Sequence, residues 1–205
     1  MLLRLALETR DRHAPADEDR LAMMDLTTLA DYRAFLSRIW GFESAAELAL
    51  SSSPAVASHV VGLRARVGRL RDDLLRLGMS ALDVDTLPRF RPITIHTAAH
   101  ALGWMFVLER STLVAGLIKR HLADQLPGAI AACGYLDAYG TSAAERLRRF
   151  ADTLDEHANR GTAQPDAIVG AATKAFDAQR QWYARAGLRS RPNTQPVQRM
   201  KPSAA

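Results

Sequence analysis

Apolar residues recur every three or four positions along most of this chain, and this spacing limits most strongly what the chain can fold into. The clearest example is the run Val56, Val60, Leu63, Val67, Leu70, Leu74 and Leu77, which lies on one face of a helix. Leu, Ala and Arg dominate, β-branched runs are few, and Gly and Pro fall mostly between the periodic segments. The sequence therefore predicts an all-α protein.

The same spacing predicts six helical stretches. They cover approximately residues 2–13, 29–40, 56–77, 95–126, 142–154 and 165–186. The first can continue past Pro15 with a kink, because an interior proline removes a backbone donor. Gly78 and Pro127 are placed to end the third and fourth stretches, and a loop is expected over residues 83–92. Ser142, with an acidic residue three positions later, matches a capping box that opens the fifth.

The chain is long enough for one domain, which we place at residues 1–187. Residues 188–205 are rich in Arg, Pro, Ser and Gln and have little to bury, so we expect a disordered tail there. A single cysteine, Cys133, excludes an internal disulfide and a cysteine-based zinc site, and we expect it to be a small buried residue. These features favour a reducing cytoplasm.

The formal charge of +5 is spread along the chain, without a basic block interleaved with aromatic residues. We therefore expect no nucleic-acid partner, and a smaller anionic partner suits the excess charge equally well. No stretch reaches the roughly 18 uninterrupted apolar residues typical of a membrane span, so we expect no membrane partner. The apolar start, residues 1–7, lacks the features of a signal peptide and is interpreted as the first turns of a helix.

Two segments carry the candidate functional residues. Thr9, His13 and Asp17 fit the pattern L-R-x-x-T-x-x-x-H-x-x-x-D near the start of the chain. The second segment is compared with G-x-x-Y-V-L-E-G-S-x-L-G-G, and the residues that fit it are Gly103, Val107, Leu108, Glu109, Ser111 and Leu113. With further matches at residues 31–36 and 69–78, the chain resembles the heme oxygenase family over residues 2–186. The resemblance is greatest to the bacterial biliverdin-producing type that is often paired with phytochromes.

The resemblance implies a haem between the first helix and the long fourth one, with His13 as the iron ligand and Thr9 beside it. It implies oxygen-dependent opening of haem to biliverdin, carbon monoxide and iron, with electrons from a ferredoxin or reductase. A bacteriophytochrome is an implied partner. Arg180 is the implied partner of a haem propionate, and Ser111 the implied support of a distal water network. A hydroxyl such as that of Ser111 can equally bond to its own helix backbone.

The second segment departs from the family pattern where the helix should approach the haem most closely. Arg110, Val114 and Ala115 stand where the family has glycine, and Phe106 stands where it has tyrosine. Side chains at these positions narrow the haem pocket or lift the helix away from it. Arg110 either turns to solvent or lies across the pocket. We expect the chain to be a heme oxygenase that still oxidises haem; the alternatives are that it binds haem without degrading it, or uses the scaffold to bind another partner.

His96 and His100 are one helical turn apart, which is the spacing of two metal ligands on one helix face. No acidic residue of a metalloprotease motif lies between them, and the sequence suggests no third ligand. We therefore do not expect a metal site at this pair.

Overall fold

The computed structural model describes residues 1–138 and 140–185. Within them the chain forms nine α-helices and no strand, so the all-α prediction is confirmed. The helices are α1 (Leu2–Glu8), α2 (Arg10–Leu21), α3 (Leu29–Leu50), α4 (Ala57–Arg76), α5 (Ala81–Asp85), α6 (Ala98–Arg110), α7 (Ala115–Gln125), α8 (Ala143–Asn159) and α9 (Pro165–Arg185). The expected tail, residues 188–205, and the expected domain end at residue 187 lie outside the described residues.

The first predicted helix is interrupted at Thr9 and not at Pro15. Thr9 separates α1 from α2 with φ −106° and ψ 9°, and it is fully buried. Its hydroxyl donates to the Leu5 carbonyl at 2.7 Å, which satisfies an acceptor at the end of α1. Pro15 lies inside α2 without ending it. A proline this close to a helix start removes a single backbone bond, which the helix tolerates.

Two further expectations about helix boundaries, and one about a helix cap, were wrong. The predicted loop over residues 83–92 begins with α5, which Ser80 and Asp83 open with a reciprocal capping box. The predicted stretch 95–126 is two helices, because residues 111–114 form a turn between α6 and α7. Ser142 does precede α8, but its side chain makes no capping hydrogen bond. Gly78, with φ +87°, follows α4 as predicted.

Helix α6 is the centre of the core and packs most extensively against α9. Gly103 makes this approach possible, since a Cβ there would lie 2.6 Å from both the Ala171 Cβ and the Ala172 backbone nitrogen. Apolar side chains on every side of α6 are buried, including Leu102, Met105 and Phe106. A helix that is apolar all round is typical of a protein core.

By length and composition alone, Ala98–Gln125 could cross a membrane. This stretch comprises α6, α7 and the turn that joins them, and half of its most apolar window is buried inside the protein. The burial of α6 against α9 accounts for its apolar character, because a core helix passes the same test.

Candidate functional site

His13 lies on α2, one turn after Thr9, and the two side chains are hydrogen bonded. Thr9 Oγ1 is 2.9 Å from His13 Nε2 and donates its only hydrogen to the Leu5 carbonyl. The histidine nitrogen must therefore donate to the threonine oxygen. In this arrangement Nε2 carries the proton, and a neutral ring has its free lone pair on Nδ1.

The His13 ring is packed against two phenylalanines. Its centroid lies 5.5 Å from that of Phe176 and 6.2 Å from that of Phe106, which are contact distances for aromatic rings. Both phenylalanines are almost completely buried. Burial lowers the pKa of His13, and the nearby Arg110 lowers it further, while Asp17 opposes them. The imidazole is thus neutral at pH 7 and lies in apolar surroundings.

Arg110 joins α6 directly to α2. Its two terminal nitrogens donate to the two carboxylate oxygens of Asp17, at 2.5 and 2.7 Å. Both side chains are mostly buried, with exposed fractions of 16% for Arg110 and 28% for Asp17. Of the two orientations considered for Arg110, the structure therefore has the one in which the guanidinium crosses between the helices. Asp17 lies one turn after His13, so this ion pair stands beside the histidine.

The other predicted site residues have partners within the protein. The Ser111 hydroxyl donates to the Leu108 carbonyl at 2.7 Å, which is the helix-backbone alternative considered above. Arg180 lies 3.5 Å from Asp19 on α2 and is 40% exposed. Val114 precedes α7 and is partly buried. In the described part of the chain, none of these three residues forms a direct side-chain bond to His13.

His96 and His100 lie close together, with ring centroids 6.2 Å apart. In the described part of the chain, no group of three or more His, Cys, Asp or Glu side chains is placed to hold a metal ion. Cys133 is buried, as predicted, with its thiol 3.5 Å from the Tyr32 hydroxyl.

Sequence reasoning missed a buried charged cluster formed by Arg20, Glu43, Arg66 and Tyr135. Glu43 is fully buried and lies 2.7 Å from a nitrogen of each arginine. The Tyr135 hydroxyl accepts from Arg20 at 2.5 Å and donates to Glu43 at 2.6 Å. Burial opposes ionisation of Glu43, but the two arginines and Tyr135 outweigh it and lower the pKa of Glu43. The carboxylate is therefore charged.

A signal for this cluster was present in the sequence. Glu43 lies four residues after Ile39 and three before Ala46, so it falls on the apolar face of α3. Arg66 falls on the apolar face of α4, between Leu63 and Leu70. Charged residues in such positions are buried by the helix geometry and require partners of opposite charge.

The cluster adjoins a cavity of about 480 Å³, which we call the basic cavity. Its lining includes Arg20 and Arg66, the turn between α6 and α7, the first turns of α7, and residues 135–138. His13 is not part of this lining. On α2, His13, Asp17 and Arg20 follow one another at helical spacing on one face. The Arg110–Asp17 pair therefore lies between His13 and the basic cavity.

Comparison with known proteins identifies a family but no individual relative. No curated protein and no solved structure matches this chain. The family model described as heme oxygenase matches residues 1–185, which include all nine described helices. Together with the helical fold and the position of His13 opposite α6, this match leads to one conclusion: the chain belongs to the heme oxygenase family.

Proposed function

We propose that this protein is a non-catalytic member of the heme oxygenase family, whose haem cleft is closed by its own side chains. Its helical scaffold would then serve to bind a partner or ligand other than haem. A shared fold does not fix function, which depends on the residues at the site.

The side chains around His13 do not fit a haem in this structure. An axial ligand needs a free ring nitrogen directed at an open slot, with the macrocycle in contact on both faces. Here Nδ1 is the nitrogen with a free lone pair, but Phe106 and Phe176 already lie in contact with the ring. A flat macrocycle could enter between His13 and α6 only if these side chains moved.

The observation that carries the proposal is the bidentate pair between Arg110 and Asp17. Charge-assisted, two-pronged bonds of this kind are among the strongest that side chains form. The family pattern has glycine at position 110, which leaves the space beside the helix open. In this chain that space holds a guanidinium that ties the two walls of the cleft together.

Haem oxygenation is the second candidate function, and one observation favours it. The chain keeps Thr9, His13 and Asp17 at the family spacing, and Thr9 holds the neutral histidine ring in a fixed orientation. In this case the product would be biliverdin, with carbon monoxide and iron. A ferredoxin or reductase would supply electrons, and a cytoplasmic phytochrome would be a suitable recipient. Arg110 would first have to leave Asp17.

Titration of the purified protein with hemin separates the two functions. We expect no Soret band that depends on His13, and therefore equal spectra for the wild type and His13→Ala. Arg110→Gly should open the cleft and produce a Soret band, which the further change His13→Ala should remove. Arg149→Gly is the matched control, because it removes an exposed arginine from α8 whose ion pair is with Glu145 on the same helix.

The opposite result is equally clear. A wild-type Soret band that His13→Ala abolishes would contradict closure of the cleft. If that band then decayed to biliverdin absorption on addition of a ferredoxin and reductase in air, the protein would be a heme oxygenase despite Arg110.

A further inference from the structure

We infer that a groove on the far side of α6 and α9 binds a flat aromatic anion, such as an aryl carboxylate. This aromatic groove has a volume of about 560 Å³, within the usual range for small-molecule sites. It is lined by residues 90–94, by the first turns of α6 and by one face of α9. The inference goes beyond the proposed function, because the aromatic groove involves neither His13 nor haem.

Helix geometry separates the aromatic groove from the cleft at His13. On α6 the groove is lined by Trp104, whereas Phe106 contacts the His13 ring. On α9 the groove is lined by Lys174, whereas Phe176 contacts that ring. Two positions along an α-helix correspond to a rotation of about 200°. Each helix therefore presents opposite faces to the groove and to the cleft.

The aromatic surface of the groove is held in place from behind. Phe90 and Trp104 are partly buried, and both pack on the fully buried Phe42, with ring centroids 5.3 and 5.9 Å apart. The backbone amide of Phe90 donates to the Gly41 carbonyl at 2.9 Å, which ties this segment to α3. Side chains fixed in this way lose little conformational freedom when a ligand packs on them. The surface for a flat ring is therefore already formed.

Cations line the groove on two of its sides. Arg91 follows Phe90, and its Cζ lies 5.7 Å from the centroid of the Phe90 ring. Lys174 is exposed on α9. Neither cation forms an ion pair within the residues that the structure describes. Asp177 is the one acidic residue of the lining, and its carboxylate lies 3.1 Å from Arg12. The groove therefore carries positive charge next to aromatic rings.

An anionic group attached to an aromatic ring fits both features at once. Its carboxylate can accept charge-assisted hydrogen bonds from Arg91 and Lys174, while its ring packs on Phe90 and Trp104. An aliphatic anion would lose the ring contacts. A neutral aromatic molecule would leave the two cations without a partner. The lining therefore favours an aromatic anion over either of these.

Isothermal titration calorimetry with 2-naphthoate tests the inference, using Arg91→Gln and Arg89→Gln as a matched pair. Both arginines are exposed, but Arg89 lies over Trp40 and does not line the groove. Each substitution removes one charge, so an effect of overall charge would be the same in both. We expect one 2-naphthoate per wild-type chain, about tenfold weaker binding in Arg91→Gln, and an affinity within about twofold of the wild type in Arg89→Gln. 2-Naphthamide, with the same rings and no charge, should bind the wild type about tenfold more weakly.

Four results would overturn the inference. One is the absence of saturable 2-naphthoate binding to the wild type. Another is equal 2-naphthoate affinity in the two arginine variants. A third is equal binding of 2-naphthamide, because the site would then be merely apolar. The fourth is loss of 2-naphthoate binding in His13→Ala, which would place the ligand in the cleft. No haem enters the measurement, so its outcome does not depend on that of the hemin titration.

Discussion

Replacing Glu43 with glutamine should destabilise this protein far more than the removal of an exposed charge. The carboxylate is fully buried and forms ion pairs with two arginines, each at 2.7 Å, while accepting a hydrogen bond from Tyr135 at 2.6 Å. Glutamine has nearly the same shape but no charge, so it would leave two uncompensated guanidinium groups in the interior. Breaking a buried ion pair by removing one partner costs about 3–5 kcal/mol. This is a large part of the typical 5–15 kcal/mol stability of a domain.

Urea unfolding, followed by circular dichroism, measures this cost as a change in the free energy of unfolding. Glu145→Gln is the matched control, because Glu145 forms an exposed pair with Arg149 on α8. Such a pair contributes at most about 1 kcal/mol. If Glu43→Gln proves too unstable to purify, adding Arg20→Met should restore folding, since one buried cation is then removed. A loss below about 1 kcal/mol for Glu43→Gln, equal to that of the control, would refute the account of the cluster.

Three other changes have defined outcomes. Gly103→Ala should lower the free energy of unfolding by about 1–3 kcal/mol, because the added methyl meets the α9 backbone. Gly68→Ala is the control, because the space around Gly68 is open; its free energy of unfolding should be unchanged or higher by up to about 1 kcal/mol. Burial and the neighbouring Arg146 lower the pKa of His59 to about 4. The unfolded state therefore binds more protons than the folded state as the pH falls from 6.5 towards 4. The free energy of unfolding should fall by about 3 kcal/mol over this range, and His59→Gln should remove that part of the pH dependence. Ser80→Ala should lower the free energy of unfolding by about 1 kcal/mol and speed amide hydrogen exchange in α5, since it removes the capping box. Unchanged hydrogen exchange would contradict that role of Ser80.

Much of the fold follows from local sequence patterns. The apolar spacing correctly indicated α3, α4 and α9, and Gly78 marked the end of α4. The same reasoning failed where local and tertiary demands differ. It placed the N-terminal break at Pro15, but the chain breaks at Thr9, whose buried hydroxyl bonds to Leu5. It also missed the turn after Arg110, because residues 95–126 contain no proline and neither of their glycines, Gly103 and Gly116, lies in the turn itself.

The candidate site, like the fold, could be predicted from the sequence only in part. The sequence identified His13 and its neighbours Thr9 and Asp17, because their spacing along one helix is visible in the chain. It also predicted that Arg110 and Val114 depart from the family pattern. It could not determine which of two orientations Arg110 takes. That choice depends on a carboxylate 93 residues away, which the fold brings within 2.5 Å.

By itself, then, the sequence determined the helical class and the family, and it predicted the two segments that carry the candidate site, since these depend on residue type and periodic spacing. Only the tertiary structure decided that Arg110 is bonded to Asp17 on α2 and that a cavity lies between the end of α2 and the turn after α6. It also decided that Glu43 must balance two arginines from α2 and α4. The physical reason is that packing, ion pairing and burial depend on the positions of residues from distant parts of the chain. Periodicity fixes the face of a helix on which a residue lies, but not what the fold places against that face.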